Sequence, residues 1–198
     1  MILLVGANGS MGKRYRAILK QLGQSYYPVD IGQMCNDVTS IKGSIIATPT
    51  ETHYSIIKKV APYGPILCEK PVCKSLSDLN DTVDFIRDNG VSFTMMNQYK
   101  LLDDQFAIGH SSYDYYNTGK DGLAWDCMQI IGAARSTVSI KDSSPIWECK
   151  LNGRQISIAN MDRAYVEFVE EWLTFKKMQS LDYITEMHYK AKEYEASN

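Results

Sequence analysis

Long apolar runs, cysteines in C-x-x-C pairs and an excess of either charge are all missing from this chain. The opening run Ile2-Leu3-Leu4-Val5 is too short to span a membrane and is interrupted by Gly6, and no basic region precedes it as in a secretory signal. Cys35, Cys68, Cys73, Cys127 and Cys149 are odd in number, which suits reduced structural thiols in the cytoplasm better than a disulfide framework. No clustered ligand set for a metal is seen. A net charge of −2 provides no long-range pull on nucleic acid or an anionic membrane, so local basic residues read as site-specific. There is no low-complexity segment and no repeat at a solenoid period.

What is present is an ordinary globular composition, 44% hydrophobic and 22% charged over 198 residues, enough for one large core or two small ones. The chain is organised around residues 2 to 16. Four consecutive apolar residues suit a strand covered on both faces, as in a parallel sheet. The turn Gly6-Ala7-Asn8-Gly9-Ser10-Met11-Gly12 follows, and then Met11, Tyr15, Ile18, Leu19 and Leu22 recur at helical spacing. Strand, glycine turn and helix in this order aim free N–H groups and the positive end of a helix dipole at a ligand, and a pyrophosphate fits. The glycines run G-x-x-G-x-x-G, one residue longer than the usual dinucleotide fingerprint, and an ordinary strand-turn-helix without ligand is the alternative. A second strand, Tyr26 to Val29, ends on Asp30, at the distance from the turn where an acid accepts hydrogen bonds from the adenosine ribose. Its carboxylate would repel a 2′-phosphate, which favours NAD over NADP. Lys13 and Arg14 leave NADP open.

Further strands are read at Ser44 to Thr48, stopped by Pro49, at Ile66 to Cys68, and at Val91 to Met95. Helices lie between them. Thr50 is expected to cap the first of these, with Ile56, Ile57 and Val60 as its apolar face; Ser75 and Asp78 begin the second, Leu79, Val83 and Ile86 line it, and Asn89-Gly90 ends it. His53 is expected on the buried face of its helix, as a packed histidine or as a ligand contact. Strands alternating with helices imply right-handed βαβ units and a doubly wound parallel sheet up to about Asn97, with ligands outside the carboxyl ends of the strands.

The glycine turn after the first strand, Ala47-Thr48-Pro49 followed by His53, and above all Cys68-Glu69-Lys70-Pro71 after a strand resemble the Gfo/Idh/MocA family of nicotinamide-dependent sugar and polyol oxidoreductases. The resemblance covers residues 1 to about 100. It implies that Gly6, Asn8, Gly9, Ser10, Met11, Asp30, Thr48, Pro49, His53 and Glu69 surround the cofactor, that Lys70 is catalytic beside the hydride-transfer carbon, and that Lys70-Pro71 is a cis peptide. Removing a hydride from an alcohol carbon also requires loss of the hydroxyl proton, so a lysine there can stabilise the developing alkoxide and take the proton.

In the second half, Asn97-Gln98-Tyr99-Lys100 resembles the family's substrate-facing segment, which makes Asn97, Tyr99 and Lys100 substrate contacts. Gly119 to Asp126 resembles its G-G-x-L-x-D-x-G-x-H segment, which makes Asp126 the aspartate. The two later positions fall on Met128 and Ile130, so the family's catalytic histidine is absent. Asp126 then either supports catalysis or belongs to a buried helix with Ala124, Cys127, Met128 and Ile131. Of the remaining histidines, His110 could reach the site and His188 is expected to be solvated.

The stretch Tyr113 to Thr118 could line a sugar pocket or an interface. Ser136 to Ile140, Ile146 to Leu151 and Gln155 to Ala159 read as strands, the latter two joined by an Asn152-Gly153 hairpin turn, and Asp162 is expected to cap a helix. The fold class is thus a Rossmann-type α/β domain over 1–97 followed by a small α+β domain over 98–198. A short sheet with open edges is marginal alone, so a homo-oligomer through the second half is expected. Two functional readings follow: an NAD(P)-dependent oxidoreductase acting on a sugar, polyol or similar small molecule, or a catalytically silent dinucleotide-binding protein with an assembly or regulatory role.

Overall fold

The computed structural model describes residues 1–30, 32–33, 39–98, 101, 113–116, 125, 128, 138–141, 148–151, 154–155, 158–176 and 179–197. Residues 1–98 contain β1 (Ile2–Val5), α1 (Ser10–Gln21), β2 (Tyr26–Val29), β3 (Ser44–Ile46), α2 (His53–Val60), β4 (Ile66–Cys68), α3 (Leu76–Asp88) and β5 (Phe93–Met95). All five strands form one parallel sheet in the order β2-β1-β3-β4-β5. β1, β3, β4 and β5 are buried at every position, the polar Ser44 and Thr94 included, as strands of a sheet covered on both faces are. Each fully buried aliphatic side chain, such as Leu4, Ile45 or Leu67, contributes about 1.5–3 kcal/mol.

The helices follow the sequence closely. In α1 the buried positions are Gly12, Tyr15, Ile18 and Leu19, and in α3 they are Leu79, Thr82, Val83 and Ile86. Ser75 caps α3 by accepting from the Asp78 N–H at 3.3 Å, as the sequence indicated. Thr50 does not cap α2. Instead Thr50–Thr52 forms a 3-10 turn that passes directly into the α-helix at His53. The Thr52 hydroxyl donates to Pro49 O at 2.7 Å and lies 2.8 Å from Thr48 Oγ1, so the local side-chain bonds fold back into the turn.

By compactness the chain divides into two units, Met1–Met96 with Val169–Leu181, and Asn97–Phe168 with Asp182–Asn198. The first unit therefore recruits a late segment that no local pattern announces. Trp172 in that segment is fully buried, and a Cβ on Gly43 would come within 3.4 Å of its Cη2. Ser92 Oγ donates to Lys176 O at 2.7 Å, and Met95 N donates to Gln179 Oε1 at 3.2 Å. Since β5 is a sheet edge, the Gln179 side chain occupies an N–H that would otherwise invite another strand.

The second unit holds a four-stranded mixed sheet in the order β7-β6-β8-β9, made of β6 (Tyr113–Tyr116), β7 (Val138–Lys141), β8 (Glu148–Leu151) and β9 (Arg154–Gln155). Tyr113 to Tyr116, the described part of the Tyr113 to Thr118 stretch read from sequence as a pocket or interface lining, is an inner strand, consistent with the strand preference of tyrosine. The antiparallel pairing of Leu151 with Arg154 leaves 152–153 as a two-residue connection, matching the hairpin signal. The next helix, α4 (Ile158–Phe175), starts four residues before Asp162, which therefore lies inside the helix and does not cap it. Its buried residues Met161, Ala164, Tyr165, Phe168, Val169 and Trp172 keep helical spacing.

In α5 (Leu181–Ser197), Ile184, Met187, His188 and Ala191 are buried. His188 is 0% exposed, contrary to the solvated position expected of it, because it shares a helix face with Ile184 and Ala191. No helix among the described residues is long and apolar enough to cross a membrane.

Candidate functional site

The carboxyl ends of β1, β2, β3 and β4 carry the residues singled out from sequence, and the backbone explains why each is there. Gly6 leaves β1 at φ +85°, with its N–H and that of Ala7 donating to Val29 O at 2.8 and 3.2 Å. A Cβ on Gly6 would lie 2.6 Å from Ala47 O, and one on Gly12 would lie 2.0 Å from Gly6 O. The fold itself demands those two glycines. Gly9 differs: its φ is −66°, and a Cβ there would meet Gly6 O at an ordinary 3.4 Å. Among the described residues nothing requires a glycine at this exposed position, which is what close approach by a ligand predicts.

The N-terminus of α1 also suits an anion. Its N-cap is Gly9, which has no side chain to satisfy the first N–H groups, and no acidic residue occupies the first turn. Asn8 and Ser10 beside it are exposed. Asp30, just past β2, accepts from the Asn8 N–H at 3.3 Å through Oδ1 and from Asn8 Nδ2 through Oδ2, while its own N–H donates to Gln33 Oε1 at 2.8 Å. A carboxylate accepts about four hydrogen bonds, so Asp30 retains capacity for ribose hydroxyls while fixing the glycine turn. These features fit a dinucleotide, with N–H groups for the pyrophosphate and a carboxylate for the adenosine ribose.

At the end of β4, the Glu69 N–H donates to Ile46 O at 2.9 Å, placing Glu69 and Lys70 beside the end of β3. Glu69 is 6% exposed, a costly position for a carboxylate unless its oxygens are satisfied. Tyr15 OH donates to Oε1 at 2.6 Å and the Lys70 N–H donates to Oε2 at 3.2 Å. Lys70-Pro71 is cis, as the resemblance implies. His53 is 1% exposed, and both ring nitrogens face the protein: Nδ1 stands 3.0 Å from Pro71 O and 3.2 Å from Val72 O, and Nε2 stands 2.8 Å from Thr48 O. Burial pushes the His53 imidazole below its ordinary pKa, against the carbonyls and the Glu69 carboxylate that favour its charged form. Cys68 and Cys73 are buried free thiols, both pushed up by burial.

Among the expected residues, Gly6, Asn8, Gly9, Ser10, Met11, Asp30, Thr48, Pro49, His53, Glu69 and Lys70 all lie in the first unit, at the carboxyl ends of its strands, in the turns leaving them, or in the first turn of the helix that follows. Asn97 opens the second unit, where its Nδ2 donates to Tyr183 OH at 3.2 Å. The Oδ1 of Asn97 and the Oε1 of Gln98 are buried without a hydrogen-bond partner among the described residues. Tyr113 begins β6. Asp126, Tyr99, Lys100 and His110 lie outside the described residues.

Tyr15 was legible only as a buried helix position. Its pairing with Glu69 could not be read from spacing, although a tyrosine on an otherwise apolar stripe does signal a hydroxyl in need of a partner.

Residues 3–97 match the Gfo/Idh/MocA model, described as an oxidoreductase family with an NAD-binding Rossmann fold. No curated protein matches the chain. Among solved structures, a Gfo/Idh/MocA family oxidoreductase from Vibrio cholerae is similar with a TM-score of 0.74 at 9% identity, over 100% of this chain and 99% of that one. A myo-inositol dehydrogenase from Corynebacterium glutamicum has a TM-score of 0.71 at 11% identity, covering 99% and 95%. The WlbA dehydrogenase from Thermus thermophilus, in complex with NAD and UDP-GlcNAcA, has a TM-score of 0.68 at 13% identity, covering 96% and 92%. At these identities the likeness is one of fold.

Proposed function

We propose, from the match of residues 3–97 to the Gfo/Idh/MocA oxidoreductase family model with its NAD-binding Rossmann fold, that this protein moves a hydride between nicotinamide and a hydroxyl or keto carbon of a sugar, polyol or related small molecule. One observation carries the reading. The Tyr15–Glu69–Lys70 hydrogen bonds join the helix of the glycine turn to the backbone of the lysine, so cofactor turn and general base are held in one frame. Bound NAD supplies the hydride acceptor. The chain supplies the rest: N–H groups at the start of α1 for the pyrophosphate, Asp30 for the ribose, and the Lys70 ammonium or amine for the substrate oxygen and its proton. Asp126 is assigned a supporting catalytic role, and Asn97, Tyr99, Lys100 and Tyr113 a substrate-facing one. Asp30 favours NAD over NADP.

The same reading places the protein in the cytoplasm, in keeping with the free thiols of Cys68 and Cys73, as a homo-oligomer built through residues 98–198. Among the described residues β7 and β9 are the edge strands of the second sheet, which supports that assembly.

Following NADH absorbance over a panel of sugars and polyols, with Lys70→Ala as control, tests the activity. Turnover that falls about 10²–10⁴-fold in the variant supports the enzyme. Tight NADH binding with no turnover in the native protein overturns it in favour of the silent binder, the reading favoured by Met128 and Ile130 at the family's glycine and histidine positions.

A further inference from the structure

We infer that His53 is a positioning residue for Lys70: its imidazole is wedged between the carbonyl of Thr48, past the end of β3, and the carbonyls of Pro71 and Val72, just past the lysine. The inference rests on the hydride-transfer reading above for its consequence, although not for its geometry. His53 begins α2, so the helix provides a rigid base, and at 1% exposure the ring has no contact with solvent to exchange for these bonds. Its three partners are backbone carbonyls, which only accept. The ring nitrogen that carries the proton therefore donates, Nε2 to Thr48 O at 2.8 Å in one tautomer or Nδ1 to Pro71 O and Val72 O at 3.0 and 3.2 Å in the other, while the ring itself stays wedged between the two segments.

Lys70 is thereby flanked. On its N-terminal side the Glu69 carboxylate receives the Lys70 N–H and the Tyr15 hydroxyl. On its C-terminal side the next two carbonyls stand against the Nδ1 edge of the His53 ring. With the backbone fixed at both ends, the root of the lysine side chain is set relative to the Thr48–Pro49 turn. A displacement of about 1 Å at a reacting group can cost about 100-fold in rate. Because the ring nitrogens are directed at the protein, His53 acts through Lys70 and does not contact the cofactor through them.

The test uses the full-length protein and three substitutions. His53→Leu removes both ring nitrogens. His53→Asn keeps a donor near the Nδ1 position, and His53→Gln keeps one near Nε2. Two quantities are read: steady-state kinetics alongside the NADH dissociation constant, and the rate of Lys70 acetylation by acetic anhydride without cofactor, relative to exposed Lys59 in the same molecule. For His53→Leu we expect kcat to fall about 100-fold while NADH affinity changes less than about threefold, with the Lys70/Lys59 labelling ratio shifted severalfold. His53→Asn and His53→Gln should fall between. If His53→Leu does not fold, the two amide variants carry the comparison by circular dichroism and the same labelling.

Unchanged kcat and labelling in folded variants overturn the inference while leaving the hydride reading standing. A native protein that binds no NADH overturns that reading instead, and the labelling ratio then still decides whether His53 sets Lys70.

Discussion

The Tyr15 hydroxyl donates to Glu69 Oε1 at 2.6 Å between two residues 54 positions apart, both withdrawn from solvent. One belongs to the helix that leaves the glycine turn, the other to the step carrying Lys70. A buried carboxylate is tolerated there because its oxygens accept from a phenol and a backbone N–H. The bond therefore has two roles: it satisfies the buried carboxylate and it sets the distance between the glycine turn and Lys70.

Replacing Tyr15 with phenylalanine should cost about 1–3 kcal/mol, since the ring still fills its space but Glu69 loses a donor while remaining buried. Glu69→Gln should cost less, because an amide oxygen can still accept from the phenol. Urea unfolding of both variants and the double variant gives the coupling between the two sites. A coupling near zero would show that the pair contributes nothing beyond packing.

The glycines of the turn separate fold from ligand binding. Gly12→Ala puts a Cβ 2.0 Å from a backbone oxygen, so the turn must rearrange, and loss of both stability and NADH binding is expected. Gly9→Ala meets only ordinary contacts and should unfold within about 0.5 kcal/mol of the native protein. Its NADH affinity should nevertheless fall by about tenfold or more, because the added methyl stands where the ligand approaches. Native-like NADH binding by Gly9→Ala would mean that its bare backbone serves no ligand.

The N-terminal sheet was readable because its determinants are local. β1, β2 and β4 fall on the expected residues, since each is a short run bounded by glycine, proline or a charge. Ser75 was readable for the same reason: its partner, Asp78, is three residues away. What escaped depends on contacts distant in sequence. Nothing near Trp172 or Gln179 says that they complete the first unit, and nothing near Tyr15 names Glu69 as its partner. His188 was misplaced because one polar residue on an amphipathic helix can sit on either side of its apolar stripe; burial beside Ile184 and Ala191 settled which. The glycine turn, Asp30 and Glu69-Lys70-Pro71 were legible as motifs, whereas the role of His53 required seeing both nitrogens against carbonyls.

His188 should make the protein sensitive to acid. Its Nδ1 donates to Ile184 O at 2.7 Å, its ring lies 6.2 Å from that of Trp125, and burial lowers its pKa to about 4. The unfolded chain binds this proton below about pH 6.5, but the folded one resists until about pH 4. Stability should therefore fall as pH drops through that window, by about 2–3 kcal/mol between pH 7.5 and 4.5 from this group. His53, also lowered, adds in the same direction. His188→Asn, which retains a donor for Ile184 O, should flatten the His188 share. Urea unfolding at both pH values reads the difference, and an identical pH dependence in the variant would contradict it.

The choice between NADH and NADPH depends on how much of Asp30 is left for a ligand. Asn8 engages both carboxylate oxygens, through its N–H at 3.3 Å and through its side-chain amide, and this holds the acid rigidly at the end of β2. Lone pairs remain on each oxygen for the ribose hydroxyls. A 2′-phosphate brought to the same carboxylate would meet like charge, and Lys13 and Arg14 would have to compensate. Calorimetry at low salt should accordingly give NADH the lower dissociation constant by about tenfold or more, with Asp30→Asn weakening NADH about 10–100-fold through the loss of charge-assisted hydrogen bonds. The variant should also narrow the gap between the two cofactors, since the repelling charge is gone. Tighter binding of NADPH by the native protein would mean that the basic residues after the turn, and not Asp30, select the cofactor.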